Sequence, residues 1–456
     1  MSQKIQLNRR AFLRTAGMTA LAGAAVGTGT SLATGAPAYT PEPPDGMYDF
    51  DTPYSRIGTE CIKWDAQIAK YGKENIEVGM GIADMDFKAA PCIGKALAER
   101  CQHENWGYTS RPESLIEAIV AWNKTRHGVD VDPASIELAS GVHPGLIAAL
   151  KTFSPPGSRV LLMTPGYNGF YGDLRGSQTL PADSPMKLVN GRYSIDFDDL
   201  ASRIAPDTNS LILCNPQNPT GNCWSQEDLL KLGRLCLERR VVVLADEIHC
   251  DFVMKGQKYI PFASLPDKDV VNNSMTFKAI SKTFSLAAMK SAYYFSTNAD
   301  YMERVSVNHR ADLNLLGLVA TEAAYKEGAP WLDQLLPYID ANHELVESYT
   351  KANTPLVSYA KAEGTYLAWL DVSQVVDRIG AKATAEEETS RQDASKMPVS
   401  PEMVVERWFV DNAKVQLNSG TSYGTGGDGH MRMNLGTSRQ LIQIALDNMA
   451  SALSKI

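Results

Sequence analysis

Phe277-Lys278-Ala279-Ile280-Ser281-Lys282-Thr283-Phe284-Ser285 sets a lysine just past an apolar run, and two earlier stretches give that lysine its meaning. Asn215-Pro216-Gln217-Asn218-Pro219-Thr220-Gly221 follows the run SLILC, and Asp246-Glu247-Ile248-His249 follows VVVLA. Asp246 comes 28 residues after Asn218, and Lys282 comes 36 residues after Asp246. An amide, a carboxylate and an amine at the ends of successive apolar runs meet in one place if those runs are neighbouring parallel strands, because open α/β sheets present their chemistry beyond the carboxyl ends of the strands.

Working outward, the runs IELAS, RVLLMTP, SLILCNP, VVVLADE, MTFKAIS and SAYYFST alternate with helical patterns from about residue 90 to 320. This alternation predicts a mostly parallel central sheet flanked by helices, an α/β fold. From about 330 the pattern changes: a long helix from Trp331 to about Ala352, the run TYLAWLDV, a polar insert, a helix near 401–411 and a terminal helix from Ser438. The expected organisation is a signal segment 1–38, a segment 39–85 contributing to a small domain, a large domain 86–325 and a small α+β domain 326–456. The insert 380–400 (GAKATAEEETSRQDASKMPVS) is charged and poor in apolar residues, which predicts a solvated loop or, alternatively, a lid.

The chain has 456 residues, 44% hydrophobic and 21% charged, enough to bury a large core and unlike a disordered or fibrous protein. Its formal charge is −8; losing residues 1–38, which carry Lys4, Arg9, Arg10 and Arg14 and no acid, would bring it to −12. That balance argues against a nucleic-acid-binding surface. Asn8-Arg9-Arg10-Ala11-Phe12-Leu13-Arg14, a Gly/Ala/Thr-rich stretch to about Ser31 and Ala36-Pro37-Ala38 resemble a twin-arginine signal with cleavage after Ala38. The expected partner is the twin-arginine translocation machinery and the expected location is the periplasm. A membrane span needs about 20 strongly apolar residues, and Gly and Thr dilute this stretch. The seven cysteines lack metal-ligand spacing and read as buried free thiols. The seven histidines show no ligand spacing either, so no metal is expected.

Lysine, aspartate and asparagine in this order suit pyridoxal 5′-phosphate, which combines an aldehyde, a pyridine ring, a phenolic oxygen and a phosphate. Lys282 would form the Schiff base with the aldehyde, and once freed by substrate its amine would take the Cα proton. Asp246 would pair with the pyridine nitrogen and keep it protonated. Asn218 and His249 would face the phenolic oxygen, although His249 also fits a satisfied histidine behind the site. Ser140-Gly141-Val142-His143-Pro144-Gly145 reads as a strand-to-helix turn whose backbone N–H groups, with Ser281, would hold the phosphate. Lys290 could add a second cation there. Tyr167 would stack on the ring or serve as a core aromatic. Arg432 could fork onto the carboxylate of an amino-acid substrate. Gly420-Thr421-Ser422-Tyr423-Gly424-Thr425-Gly426-Gly427 lacks the phosphate-loop lysine pattern and reads as a turn that positions Arg432.

These motifs resemble the fold-type I aminotransferase superfamily over nearly all of 45–450. Ala83-Asp84-Met85-Asp86-Phe87, Trp106-Gly107-Tyr108, Asp246-Glu247-Ile248-His249 and Gly364-Thr365-Tyr366-Leu367-Ala368-Trp369-Leu370-Asp371 are similar to its MalY/PatB branch. The resemblance implies a cystathionine or cysteine-S-conjugate β-lyase that can be a homodimer with shared sites. It implies that Tyr108 reaches the partner subunit's cofactor phosphate and that Thr365-Tyr366 lie near substrate. Two positions depart: Ser285 stands where the branch usually has Asn, and Lys290 where transaminases usually have Arg. A transaminase uses the same residues, so it stays open as the alternative, followed by a racemase or a non-catalytic regulatory binding module.

Overall fold

The protein is described here by a computed structural model, over residues 39–456 apart from Asn190, Ala311 and Ala394. The expected twin-arginine signal lies outside the described residues. Within them, no helix is long and apolar enough to cross a membrane.

Seven strands build the main sheet: β1 Glu137–Ala139, β2 Arg159–Thr164, β3 Leu180–Pro185, β4 Thr208–Cys214, β5 Val242–Asp246, β6 Ser274–Ala279 and β7 Ala292–Phe295. Their order is β1-β7-β6-β5-β4-β2-β3. All pairings are parallel except those of β7, which runs against both neighbours. β4, β5 and β6 are almost continuously buried, as expected for parallel strands covered on both faces. The six apolar runs fall on six of these strands. β3 was not foreseen, because Pro181 and Pro185 mask it; proline fits there because β3 lies at the edge of the sheet.

Register brings the chemistry together. Cys214 pairs with Asp246 and Asp246 with Phe277, so β4, β5 and β6 end level with one another. The segments that follow are those carrying Asn218, Asp246 and Lys282. Helices cover both faces, including α1 Val142–Phe153, α2 Gly169–Ser177 and α3 Gln226–Glu238, the last capped by Ser225 through the Asp228 N–H.

The rest of the chain makes a three-stranded antiparallel sheet, Leu367–Asp371, Asn418–Ser419 and His430–Asn434, with the last strand central. Val78–Gly79 pairs in parallel with Val415–Gln416. One apolar cluster joins Trp64, Ile76, Val78 and Met80 to residues from Val346 to Leu453. The helix α4 Ala329–Asn353 belongs to two clusters: Trp331, Leu332, Leu335 and Ile339 pack with Trp122 and Phe284, whereas Val346 packs with the C-terminal residues.

The insert corrects the sequence reading. Ala381–Arg391 is a helix, α5, rather than a loop. Its buried residues are two of its three alanines, Ala381 and Ala385, one turn apart. Ala, Glu and Lys are strong helix formers. One terminal nitrogen of Arg407 donates to both carboxylate oxygens of Glu388 on this helix, at 2.7 and 2.6 Å.

Candidate active site

A cavity of about 460 Å³ opens at the carboxyl ends of β4, β5 and β6. Gly141, Val142, His143, Tyr167, Asn218, Asp246, His249, Ser281, Lys282 and Lys290 all line it. Sequence reasoning also selected Arg432, which reaches the same group of residues through Asn218. Tyr108 does not join them: it is fully exposed, on the segment between residues 102 and 112.

Lys282 sits in the single helical turn Ile280–Thr283, and its Nζ donates to the Ala83 carbonyl at 2.7 Å. Tyr366 Oη donates to the same carbonyl at 3.0 Å. Burial, followed by the nearby Arg432 cation, pushes the Lys282 ammonium down to about 8. An amine so poised has an appreciable neutral fraction near pH 7, as a base requires.

Asp246 ends β5 in full burial, and one oxygen accepts from the Ile248 N–H at 3.2 Å. Burial pushes its carboxyl up to about 7. No cation among the described residues lies within ion-pair distance of it, which leaves a buried acid suited to a protonated pyridine nitrogen. His249 is also buried, and its Nδ1 finds no hydrogen-bond partner. Burial, then the Lys282 and Arg432 charges, hold its imidazole well below its usual range, so it is neutral. The alternative of a satisfied histidine is not what the geometry shows.

Arg432 is 3% exposed. It donates from one terminal nitrogen to Asn218 Oδ1 at 3.1 Å and from the other to the Gly81 carbonyl at 2.7 Å. Its plane lies over Tyr423, 5.0 Å from the ring centroid, so the Gly-rich turn supplies an aromatic platform. Among the described residues no carboxylate pairs with it, and its Nε lacks a partner. A buried cation without a counter-ion is costly unless it binds an anion. Because Arg432 occupies Oδ1 of Asn218, the amide N–H₂ of Asn218 is the group left for a ligand.

Gly141 precedes α1, whose first turn carries no side-chain cap. Its backbone N–H groups therefore remain as donors beside the cavity, in the arrangement that binds phosphate. Lys290 is exposed at the rim and carries no ion pair among the described residues. Tyr167 packs edge-on to Phe170, and burial pushes its phenol up to about 12. Gly221 has φ +76°, and a side chain there would come within 2.5 Å of Ala362 Cβ, so the loop bearing Asn218 needs glycine at this turn.

Several supporting residues were not found from sequence. Ser285 Oγ accepts from the Met85 N–H at 2.8 Å, tying the Ala83–Asp86 segment to the lysine turn. Asn434 Nδ2 donates to Asp84 O at 2.7 Å and to Ile82 O. Thr283 Oγ1 donates to buried Asp251 at 2.7 Å, and Asp251 pairs with His127 at 3.1 Å. Asp173 bonds His143. These contacts span up to 352 residues, and no local spacing announces them. All seven cysteines are free thiols; five are buried as the sequence reading expects, whereas Cys61 is half-buried and Cys101 exposed.

The chain belongs to the aminotransferase class I and II family, whose model matches residues 75–449. Its relatives include both namesakes of the MalY/PatB branch. The chain is 37% identical over 411 residues to cystathionine beta-lyase PatB of Bacillus subtilis, covering 89% of this chain and 100% of PatB. It is 29% identical to protein MalY of Escherichia coli, covering 90% of this chain and 100% of MalY. The solved PLP-bound C-S lyase from Staphylococcus hominis superposes with a TM-score of 0.77 at 28% identity, over 89% of this chain and 98% of that one.

Proposed function

We propose that this protein is a pyridoxal-phosphate-dependent carbon–sulfur β-lyase that cleaves amino acids of the cystathionine or cysteine-S-conjugate type. The observation that carries the proposal is the counter-ion-free Arg432 beside Lys282 and Asp246: one cation for a substrate carboxylate, one amine and one acid for the cofactor. The naming of PatB as a cystathionine beta-lyase and of the Staphylococcus protein as a C-S lyase favours elimination over amino-group transfer.

When bound, the cofactor supplies an electron sink for the pair left as Cα loses its proton. Arg432 orients the substrate by its carboxylate. Lys282 Nζ takes the Cα proton, and its lowered proton affinity makes this possible near neutral pH. Asp246 would hold the ring nitrogen in its protonated form, Asn218 and His249 would face the phenolic oxygen, and the first turn of α1 would hold the phosphate. Breaking the Cβ–S bond releases a thiol and aminoacrylate, which hydrolyses to pyruvate and ammonia.

The protein acts as a homodimer in which Tyr108 of each subunit completes the other's site. Two features support this: Tyr108 is exposed and does not line its own chain's cavity, and Trp106–Thr109 line a separate hollow of about 730 Å³ with Asp312–Leu316. It works in the periplasm after twin-arginine export; Arg9-Arg10 and Ala36-Pro37-Ala38 support that location.

The test is incubation with cystathionine and, separately, with an amino acid plus 2-oxoglutarate. Pyruvate and thiol released without any keto acid is the expected result. Turnover strictly dependent on the acceptor would overturn the lyase in favour of an aminotransferase.

A further inference from the structure

Behind the lysine turn, outside the cavity, three metal-ligating side chains converge. His127 ends the helix Glu113–His127, and Cys250 and Asp251 lie in the turn that follows β5. Cys250 Sγ is 3.6 Å from His127 Nε2, and Asp251 Oδ1 is 3.1 Å from the same nitrogen. One ligand atom from each of the three lies within 4.8 Å of the others. The three side chains are at most 6% exposed. Asp251 Oδ1 nevertheless accepts no hydrogen bond. No ligand spacing shows in the sequence because 123 residues separate His127 from Cys250.

Ligands on a tetrahedral zinc ion, at about 2.0–2.1 Å for nitrogen or oxygen and about 2.3 Å for sulfur, stand about 3.3–3.6 Å from one another. The trio is already close to that spacing. A thiolate, an imidazole and a carboxylate oxygen are donors that zinc takes, whereas magnesium and calcium call for oxygen alone. We propose that His127, Cys250 and Asp251 bind a zinc ion whose fourth position opens into the hollow of about 340 Å³ that they line with Gln257 and Tyr259. Binding exchanges the Cys250 thiol proton, released to solvent, for the metal. With Cys250 ionised, its thiolate, Asp251 and Glu247 set three negative charges against the two of Arg126 and Lys278, which suits a divalent cation. Both neighbouring cations have other partners: Arg126 donates to Asp333 at 2.8 Å and Lys278 to Asn123 Oδ1 at 3.0 Å. The second oxygen of Asp251 accepts from Thr283 Oγ1 at 2.7 Å, so the ion braces the turn that carries Lys282. No step of the reaction passes through it.

A trio that only hydrogen-bonds the end of a helix to a turn would take up no metal. Cobalt(II), a spectroscopic stand-in for zinc, separates the two roles when one equivalent is added to the holoenzyme and spectra are taken against the metal-free holoenzyme. Thiolate coordination gives charge-transfer absorption in the near ultraviolet, and tetrahedral geometry gives intense visible bands. Both should appear in the wild type and in Cys101→Ser, whose lost thiol is an exposed one elsewhere, and zinc should bleach them. Both should be lost in Cys250→Ser and in His127→Gln. A wild type without these bands, or bands kept in either of those two variants, would overturn the proposal. Should a variant fail to fold, X-ray absorption of zinc-loaded wild type decides: one sulfur at about 2.3 Å with nitrogen and oxygen at about 2.0–2.2 Å is expected, and a shell without sulfur overturns the site. Cofactor-free protein should bind cobalt in the same way. A wild type that takes up no pyridoxal phosphate would therefore sink the lyase reading and still be judged for zinc.

Discussion

Arg432 and Asp246 are buried ionisable groups at one site, neither with a counter-ion among the described residues, and this shapes what their replacement does. Truncating one member of a buried charge pair costs about 2–5 kcal/mol, so Arg432→Ala should lower kcat/KM on the order of 100-fold. Most of the loss should fall on KM, because the carboxylate contact exists before the chemistry begins. Arg432→Lys should recover part of it without the planar fork; steady-state kinetics with a thioether amino acid decides. Asp246 gives a prediction on stability. Its carboxyl is raised from 3.8 to about 7 in the fold, so the cofactor-free native state binds more protons there than the unfolded chain does. The contribution of Asp246 is therefore fully present below about pH 4 and is lost as pH rises to about 7. The gap bounds the effect at about 4 kcal/mol. Denaturant unfolding of cofactor-free Asp246→Asn should show a flatter pH dependence between these limits than the wild type; equal slopes would refute the assignment. Lys282, Asp246, Asn218 and Arg432 were readable from sequence because each ends or sits on an apolar run. Asp173 was not: it lies inside a helix, and its importance comes only from the histidine 30 residues earlier that the fold sets against it.

At the scale of elements, the strands were legible because β4, β5 and β6 are buried on both faces and so read as unbroken apolar runs. The insert was illegible for the reverse reason. A helix that hides only Ala381 and Ala385 has almost no apolar stripe, and composition alone resembles a loop. The contact between the lysine turn and the Ala83–Asp86 segment is likewise tertiary. It depends on Ser285, a non-glycine residue at φ +56° whose hydroxyl accepts the Met85 N–H. Ser285→Ala should cost about 1 kcal/mol in stability and raise KM by loosening the segment that carries the Ala83 carbonyl. Asparagine tolerates this left-handed conformation better than other non-glycine residues. Ser285→Asn, the residue usual in the MalY/PatB branch, should therefore keep near-wild-type Tm and kcat/KM. A Ser285→Asn protein as impaired as Ser285→Ala would show that the hydroxyl itself, rather than the turn, is what matters.

For the whole molecule, one chain brings every proposed group to its cavity except Tyr108, and that single exception makes assembly testable. If Tyr108 serves the partner's site, Lys282→Ala and Tyr108→Ala damage different sites of a mixed dimer. In a hybrid, the subunit keeping Lys282 receives an intact Tyr108 from the Lys282→Ala subunit and has a complete site, whereas the other site carries both defects. Random exchange of equal amounts makes about half of the dimers hybrids, each with one good site of two, so activity should recover to about a quarter of wild type. Lys282→Ala alone should be inactive, since it lacks both the tether and the base. Tyr108→Ala alone should bind cofactor more weakly, having lost a hydrogen bond to a charged group worth about 1.5–3 kcal/mol. Mixing after co-expression or after mild denaturation and refolding, with the cofactor kept too dilute to fill Tyr108→Ala sites, gives the readout. Activity equal to the mean of the two separate variants would mean that each chain completes its own site, and Tyr108 would have to be reassigned to the surface on which it lies.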